Sequence, residues 1–176
     1  ITYSAPVPAG GTCLAPGGMD TPPGLCTAAE VAGATSRPVT ETNTGQTAYL
    51  AEPEGGVLSV RWRFETTGGA PYPDAVFAPR ASRFTRFAHA LLDEVGQIAP
   101  DLTGSDRIRA IACATAERFT YGHPDTRFND GLDEIPALGC GLTEGSCVDI
   151  NTYFIASLRA AGIEAGYITG FYFPAE

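Results

Sequence analysis

Over residues 57–66 apolar and polar side chains alternate, with Leu58, Val60, Trp62 and Phe64 on one side of a pleat and Val57, Ser59, Arg61 and Arg63 on the other. A period of two predicts a half-buried strand whose inner face carries Leu58, Val60, Trp62 and Phe64. Residues 47–51 are the other strong strand candidate, while 15–23 and 68–73, dense in Gly and Pro, are expected to avoid helix and ladder alike. Past residue 80 the period changes. From Arg83, the residues Phe84, Phe87, Ala88, Leu91, Leu92, Val95 and Ile98 recur at offsets of three and four, the stripe of a helix lying on a core and stopped by Pro100. A second helix is predicted over 106–119, capped by Ser105, with Ile108, Ile111, Ala112, Thr115 and Phe119 inward. His89 and Cys113, beside these stripes, read as packed helix residues. A third helix runs over 147–161 and exits at Gly162. Its apolar positions Val148, Ile150, Tyr153, Phe154, Ile155, Leu158 and Ala161 leave so few for solvent that it should be central. Residues 163–173, aromatic and β-branched and stopped by Pro174, predict a strand directly after it.

Gly and Pro supply 21 of the first 80 residues and only 14 of the last 96, which divides the chain into a β- and loop-rich region, 1–80, and a helical core, 81–176. With 176 residues there is enough chain to bury a real core. Asp and Glu number 20 against 11 basic residues, all Arg and nowhere gathered into a stripe, so nucleic acid is not an expected partner. Charged or amide residues interrupt every apolar stretch before the roughly 20 residues a bilayer crossing needs, so the chain reads as soluble with no membrane partner. Five cysteines (13, 26, 113, 140 and 147), odd in number and without framework spacing, point to a cytoplasmic protein rather than a disulfide scaffold, with a Cys13–Cys26 bridge left open.

Candidate chemistry concentrates on Gly145-Ser146-Cys147. A thiol must lose its proton to attack a carbonyl, and at an ordinary pKa of about 8.5 only a few per cent is thiolate at neutral pH. Cys147 falls in the first turn of the third helix, where unpaired amides and the positive end of the helix dipole favour an anion and can hold the oxyanion of a tetrahedral intermediate. Elsewhere the acidic loop 121–145, with Asp125, Asp130, Asp133, Glu134 and Glu144, lacks EF-hand spacing and reads as solvated, so no metal is expected. Two distant histidines make no zinc site, and Gly-x-Ser-x-Gly, Walker and dinucleotide patterns are missing, so no cofactor is expected either. Cys140 and Cys147, seven apart, are a rival redox pair.

Gly145-Ser146-Cys147, then Leu158-Arg159-Ala160-Ala161-Gly162-Ile163, then Gly170-Phe171 resemble the transglutaminase-like superfamily, whose pattern is a Gly-x-Cys opening a buried helix, a Leu-Arg-x-x-Gly-Ile ending and an aromatic strand. Phe119-Thr120-Tyr121 fits an aromatic-Thr-Tyr step that bacterial members place before the Cys. The resemblance, to the bacterial branch, implies an α+β fold: a papain-like, transglutaminase-like core with helices packed on an antiparallel sheet, preceded by the β- and loop-rich part. It implies a cysteine enzyme performing acyl transfer or amide hydrolysis on a protein, peptide or amide substrate through a thioester on Cys147. Tyr121, Ser146 and Asp149 are then candidates for oxyanion or pocket support.

Family members complete a triad with a His and an Asp on strands after the Cys helix, and no His follows Cys147. Three readings compete: the core continues beyond Glu176, another chain supplies the base, or catalysis has been lost. The first is favoured, because the aromatic strand would otherwise lack a following partner. His123, which precedes the Cys, is assigned to the mouth of the cleft. The rival function is an inactive binding or scaffold module with Cys147 as a packed relic.

Overall fold

The alternation centred on Trp62 becomes a ten-residue strand. In the computed structural model, which describes residues 1–78 and 80–169, six strands precede the helices: β1 (Thr2–Val7), β2 (Cys13–Pro16), β3 (Leu25–Ala32), β4 (Ala34–Thr40), β5 (Thr47–Pro53) and β6 (Gly56–Glu65). They form two antiparallel three-stranded sheets, ordered β1-β6-β3 and β2-β5-β4. Val60 and Trp62 of β6 are buried with Ala15 of β2, and Cys26, Ala29, Val31 and Tyr49 pack around them. Polar ends are matched: the Trp62 indole N–H donates to Pro16 O at 3.0 Å and the Tyr49 hydroxyl to Ala29 O at 3.1 Å. The inner face is shorter than its alternation implies, since Leu58 is only half-buried and Phe64 is exposed at the strand's end. Residues 15 and 16 pair in β2, against their Gly/Pro-rich context. That pairing is possible because β2, like β1 and β4 with Pro6 and Pro38, is an edge strand, where a missing N–H can face away from the ladder. Gly33 joins β3 to β4 at φ +80°, and a Cβ there would collide with the Val57 carbonyl.

The chain forms two compact units, Ile1–Ala75 and Val76–Glu176. In the second, α1 (His89–Gly96), α2 (Gly104–Ala116), β7 (Phe119–Tyr121), β8 (Thr143–Gly145) and α3 (Cys147–Ala160) follow in order. Both α1 and α2 pack on α3. Leu91, Val95, Ile111, Phe119, Ile135, Tyr153, Ala156 and Leu158 make the core. The helical stripe beginning at Arg83 was longer than the helix that forms. Ser82 and Thr85 close a turn, and Arg86 and Ala88 exchange backbone hydrogen bonds with Ile135, so Phe84 stays exposed and Phe87 bridges to Ile135. A side-chain-closed turn and a ladder contact have displaced the first helical turn.

Other expectations shift for similar reasons. Thr103, not Ser105, is the N-cap of α2. Ile108 is exposed, and Phe119 leaves the helix for β7. Neither His89 nor Cys113 is packed: His89 stands in solvent against Asp93 at 3.1 Å, and the Cys113 thiol is exposed. No ladder forms over 163–169, and the rest of that expected strand, with Gly170-Phe171 and Pro174, lies outside the described residues. Among the described residues the sheet of this unit is the short parallel pair β7–β8. No helix among the described residues is long and apolar enough to cross a membrane.

Phe119, Phe128 and Tyr153 meet edge to face with centroids 5.7 to 6.0 Å apart. Tyr153 is buried on α3, with its phenol in electrostatic reach of the Glu94 carboxylate, which pairs with Arg118 at 2.6 Å. Arg118 also donates to Gly139 O. Burial first, then the Glu94 charge, push the Tyr153 phenol up to about 12. Its neutral form is therefore bound to the fold, so its contribution is present below about pH 10 and lost as pH rises toward 12. Urea unfolding of Tyr153→Phe should show a loss of roughly 1 to 2 kcal/mol at pH 7 and a shallower decline between pH 10 and 12 than the parent protein. A loss under about 0.3 kcal/mol would show that this hydroxyl makes no net contribution to the fold.

Candidate active site

Residue 145 must be glycine for the site to close. Gly145 ends β8 in a buried position, and a Cβ there would sit 2.8 Å from the Phe119 ring and 3.0 Å from Asp149 Cβ. Ser146 is the N-cap of α3 with extended backbone, and Cys147 is the first helical residue. The turn is fixed by a capping box, in which the Ser146 side chain accepts from the Asp149 N–H while the Asp149 carboxylate reaches back. Asp149 Oδ2 accepts from Ser146 N–H at 2.9 Å and from Ser146 Oγ–H at 2.6 Å. Its other oxygen accepts from Arg127 Nε–H at 2.7 Å.

Asp149 is only 2% exposed, and burial alone would raise its carboxyl; the Ser146 hydroxyl, Arg127 and the Ser146 amide outweigh that and hold it below the ordinary value of 3.8. A depressed carboxylate contributes stability that is present above the unfolded value and lost as pH falls through the folded one. The acid thus serves chiefly as a cap and an anchor for the loop after β7.

Cys147 is exposed, and the Asn151 side chain donates to its carbonyl at 2.7 Å. Val148 beside it is also exposed. The β7–β8 ladder sets Tyr121 opposite Gly145, and Gly122 N–H donates to Gly145 O at 3.0 Å. Two of the candidates from the earlier segment therefore arrive at the cysteine end of α3: Tyr121, 64% exposed, and His123, whose ring meets Tyr121 edge to face at 5.4 Å. His89 does not; it is on α1 with Asp93. A groove of about 410 Å³ starts at Asn151 and runs along Phe154 and Ile155, with Tyr167 and Ile168 on its other wall. Burial first, and then the charges of Cys147 and Asp149, push the Tyr167 phenol up against the opposing effect of Arg127, so its hydroxyl lies within electrostatic reach of all three.

Arg127 and Tyr167 are site residues that sequence reasoning passed over. Arg127 is in an aperiodic loop and only the fold brings it to Asp149; Tyr167 was absorbed into the aromatic run. The Ser146-x-x-Asp149 spacing is a capping-box signature and was available in the sequence. All five cysteines are free, so Cys13 and Cys26 are not bridged, and Cys140 is exposed with no bond to Cys147. Among the described residues no group of three or more His, Cys, Asp or Glu side chains is arranged to hold a metal ion.

Asp149→Asn should lower unfolding stability by about 2 kcal/mol at pH 7, because Arg127 is left without its counter-charge. Its loss of stability below pH 4 should also be shallower than the parent's. Parallel acid profiles for the two proteins in urea titrations would refute the capping account.

No curated protein and no solved structure matches the chain. A family profile does, over residues 89–176, which is half of the chain and takes in α1, α2, both short strands and α3 with its N-terminal cysteine. That match covers the elements that bring Tyr121, Gly145 and Cys147 together, and by it the chain belongs to the transglutaminase-like superfamily, a family of cysteine enzymes.

Proposed function

We propose that the protein is a cysteine acyltransferase or amidase in which Cys147 is the nucleophile. The observation that carries this reading is an exposed thiol at the first position of a buried helix whose entry is clamped by Ser146, Asp149 and Arg127, within the region matched to the family. Helix-start amides lower the cost of a thiolate and of a neighbouring oxyanion, and a clamped entry removes the need to reorganise them during reaction. In the proposed cycle the Cys147 sulfur attacks the carbonyl carbon of a carboxamide or peptide bond. The tetrahedral oxyanion collapses, the C–N bond breaks, and the nitrogen leaves as ammonia or amine with the proton a general base took from the thiol. Water or a second amine then attacks the thioester, giving acid or new amide and regenerating the thiol.

Tyr121 and Ser146 are assigned to pocket or oxyanion support, Asp149 to holding the first turn, and His123 to the mouth of the cleft. The exposed Tyr121–His123 pair opposite Gly145 supports that placement. A papain-like packing of helices on an antiparallel sheet belongs to the same proposal. Five unbridged thiols fit a reducing, cytoplasmic setting.

Turnover is tested with glutaminyl and dipeptide amides in the presence of hydroxylamine, which resolves a thioester to a hydroxamate read as its coloured iron(III) complex. Cys147→Ala should abolish hydroxamate release while changing the melting temperature by no more than about 2 °C, since the side chain is exposed. Retained release in Cys147→Ala would overturn Cys147 as the nucleophile, and no release from the parent protein would favour a scaffold role for the fold.

A further inference from the structure

The charge balance at the start of α3 poses a problem for the proposed nucleophile. Asp149 puts a negative charge two residues beyond Cys147, and a like charge nearby disfavours a thiolate. That carboxylate does not stand alone. Arg127 Nε meets it at 2.7 Å, and the guanidinium is aimed by a tight turn in which Arg127 N–H donates to Asp130 Oδ2 at 2.9 Å and Asp130 N–H to Arg127 O at 3.1 Å. The pair is also built in an unexpected way for a device that serves stability alone. An arginine holding a carboxylate for strength engages it with two nitrogens; here Nε makes the only bond to Asp149, and Nη2 is buried with no hydrogen-bond partner among the described residues. A buried, unpartnered guanidinium nitrogen is a cost. Placement of positive charge beside the first turn of α3 is what the arrangement gains.

We propose that Arg127 is a positioning residue for Cys147: by neutralising the buried Asp149 carboxylate it allows a capping acid in the first turn of α3 without suppressing ionisation of the thiol two residues away. The inference rests on the reading of Cys147 as nucleophile. Other ionisable groups approach this end of α3 from each neighbouring element: Tyr121 on β7, His123 after it, Glu144 on β8 and Tyr167 beyond α3. His123 and Glu144 are exposed, so water and salt screen them, which leaves the buried Asp149 and the partly buried Arg127 as the least screened charges of the site.

The test is the rate of iodoacetamide alkylation of Cys147, read by peptide mass spectrometry from pH 6 to 9, with exposed Cys113 and Cys140 in the same molecule as internal references. Arg127→Gln should slow Cys147 at pH 7 by about three- to tenfold relative to those references. Arg127→Lys, which keeps the charge, should stay within about twofold of the parent. Asp149→Asn should alkylate at the parent rate or faster, and the double variant should return to within about threefold of the parent. A merely structural clamp would slow both single variants together and leave the double slowest. Either that pattern or a parent-like rate in Arg127→Gln overturns the proposal. If Arg127→Gln does not fold, the double variant is compared with Asp149→Asn: rates within about threefold of each other support the assignment, because Arg127 then acts through Asp149, and a double variant slower by more than that overturns it. Failure of the nucleophile reading looks different, with parent Cys147 reacting no faster than Cys113 while the Arg127→Gln to parent ratio still decides the role of Arg127.

Discussion

The first turn of any α-helix has amides without intrahelical acceptors, and α3 answers that demand with one carboxylate. Asp149 accepts three hydrogen bonds, two from Ser146 and one from Arg127, and so joins the strand that delivers Gly145, the helix that opens with Cys147 and the loop that returns from β7. Without it the chain could still form α3, but neither the direction in which Ser146 enters nor the position of the Arg127 loop would be fixed. Glycine at 145 is the complement of this constraint, since Phe119 and Asp149 leave no room for a side chain there.

Around that clamp the second unit solves a topological problem. β7 and β8 run parallel, and parallel neighbours need a long connection, commonly a helix. Here residues 122–142 make the crossing as an irregular loop that supplies its own burial: Phe128 meets Phe119 and Tyr153 edge to face, Asn129 and Ile135 are fully buried, and Ile135 pairs with Phe87. The loop thereby covers one side of α3 while α1 and α2 cover others. The cysteine end of the helix is what stays accessible.

How much of this could be read from residue order depends on whether a local rule decided it. α3 was legible because its apolar positions, Gly162 exit and N-terminal Gly-Ser-Cys all agree, and β6 because two-residue alternation has no helical counterpart. α1 began six residues later than its stripe because Ser82, Thr85 and Ile135 offered backbone partners that only the folded loop brings near. β2 was hidden by Pro16, which an edge position tolerates, and β7 was read as the last turn of α2 because Phe119 lies in phase with Ile111 and Thr115. In the site, Cys147 was visible from its place at a helix start, and Asp149 through the family resemblance. The Arg127 contact was not, since 22 residues of loop and strand separate it from Asp149 and no periodicity connects them.

The central claim is that the Cys147 sulfur forms a covalent acyl intermediate. It is tested most directly by acid-quenching the protein seconds after mixing with an activated acyl donor such as a p-nitrophenyl ester, followed by intact mass and peptide mapping. One acyl group per chain, carried on the Cys147 peptide and discharged by hydroxylamine, is the predicted result; acylation spread over Cys113, Cys140 and Cys147 in proportion to their exposure would contradict it.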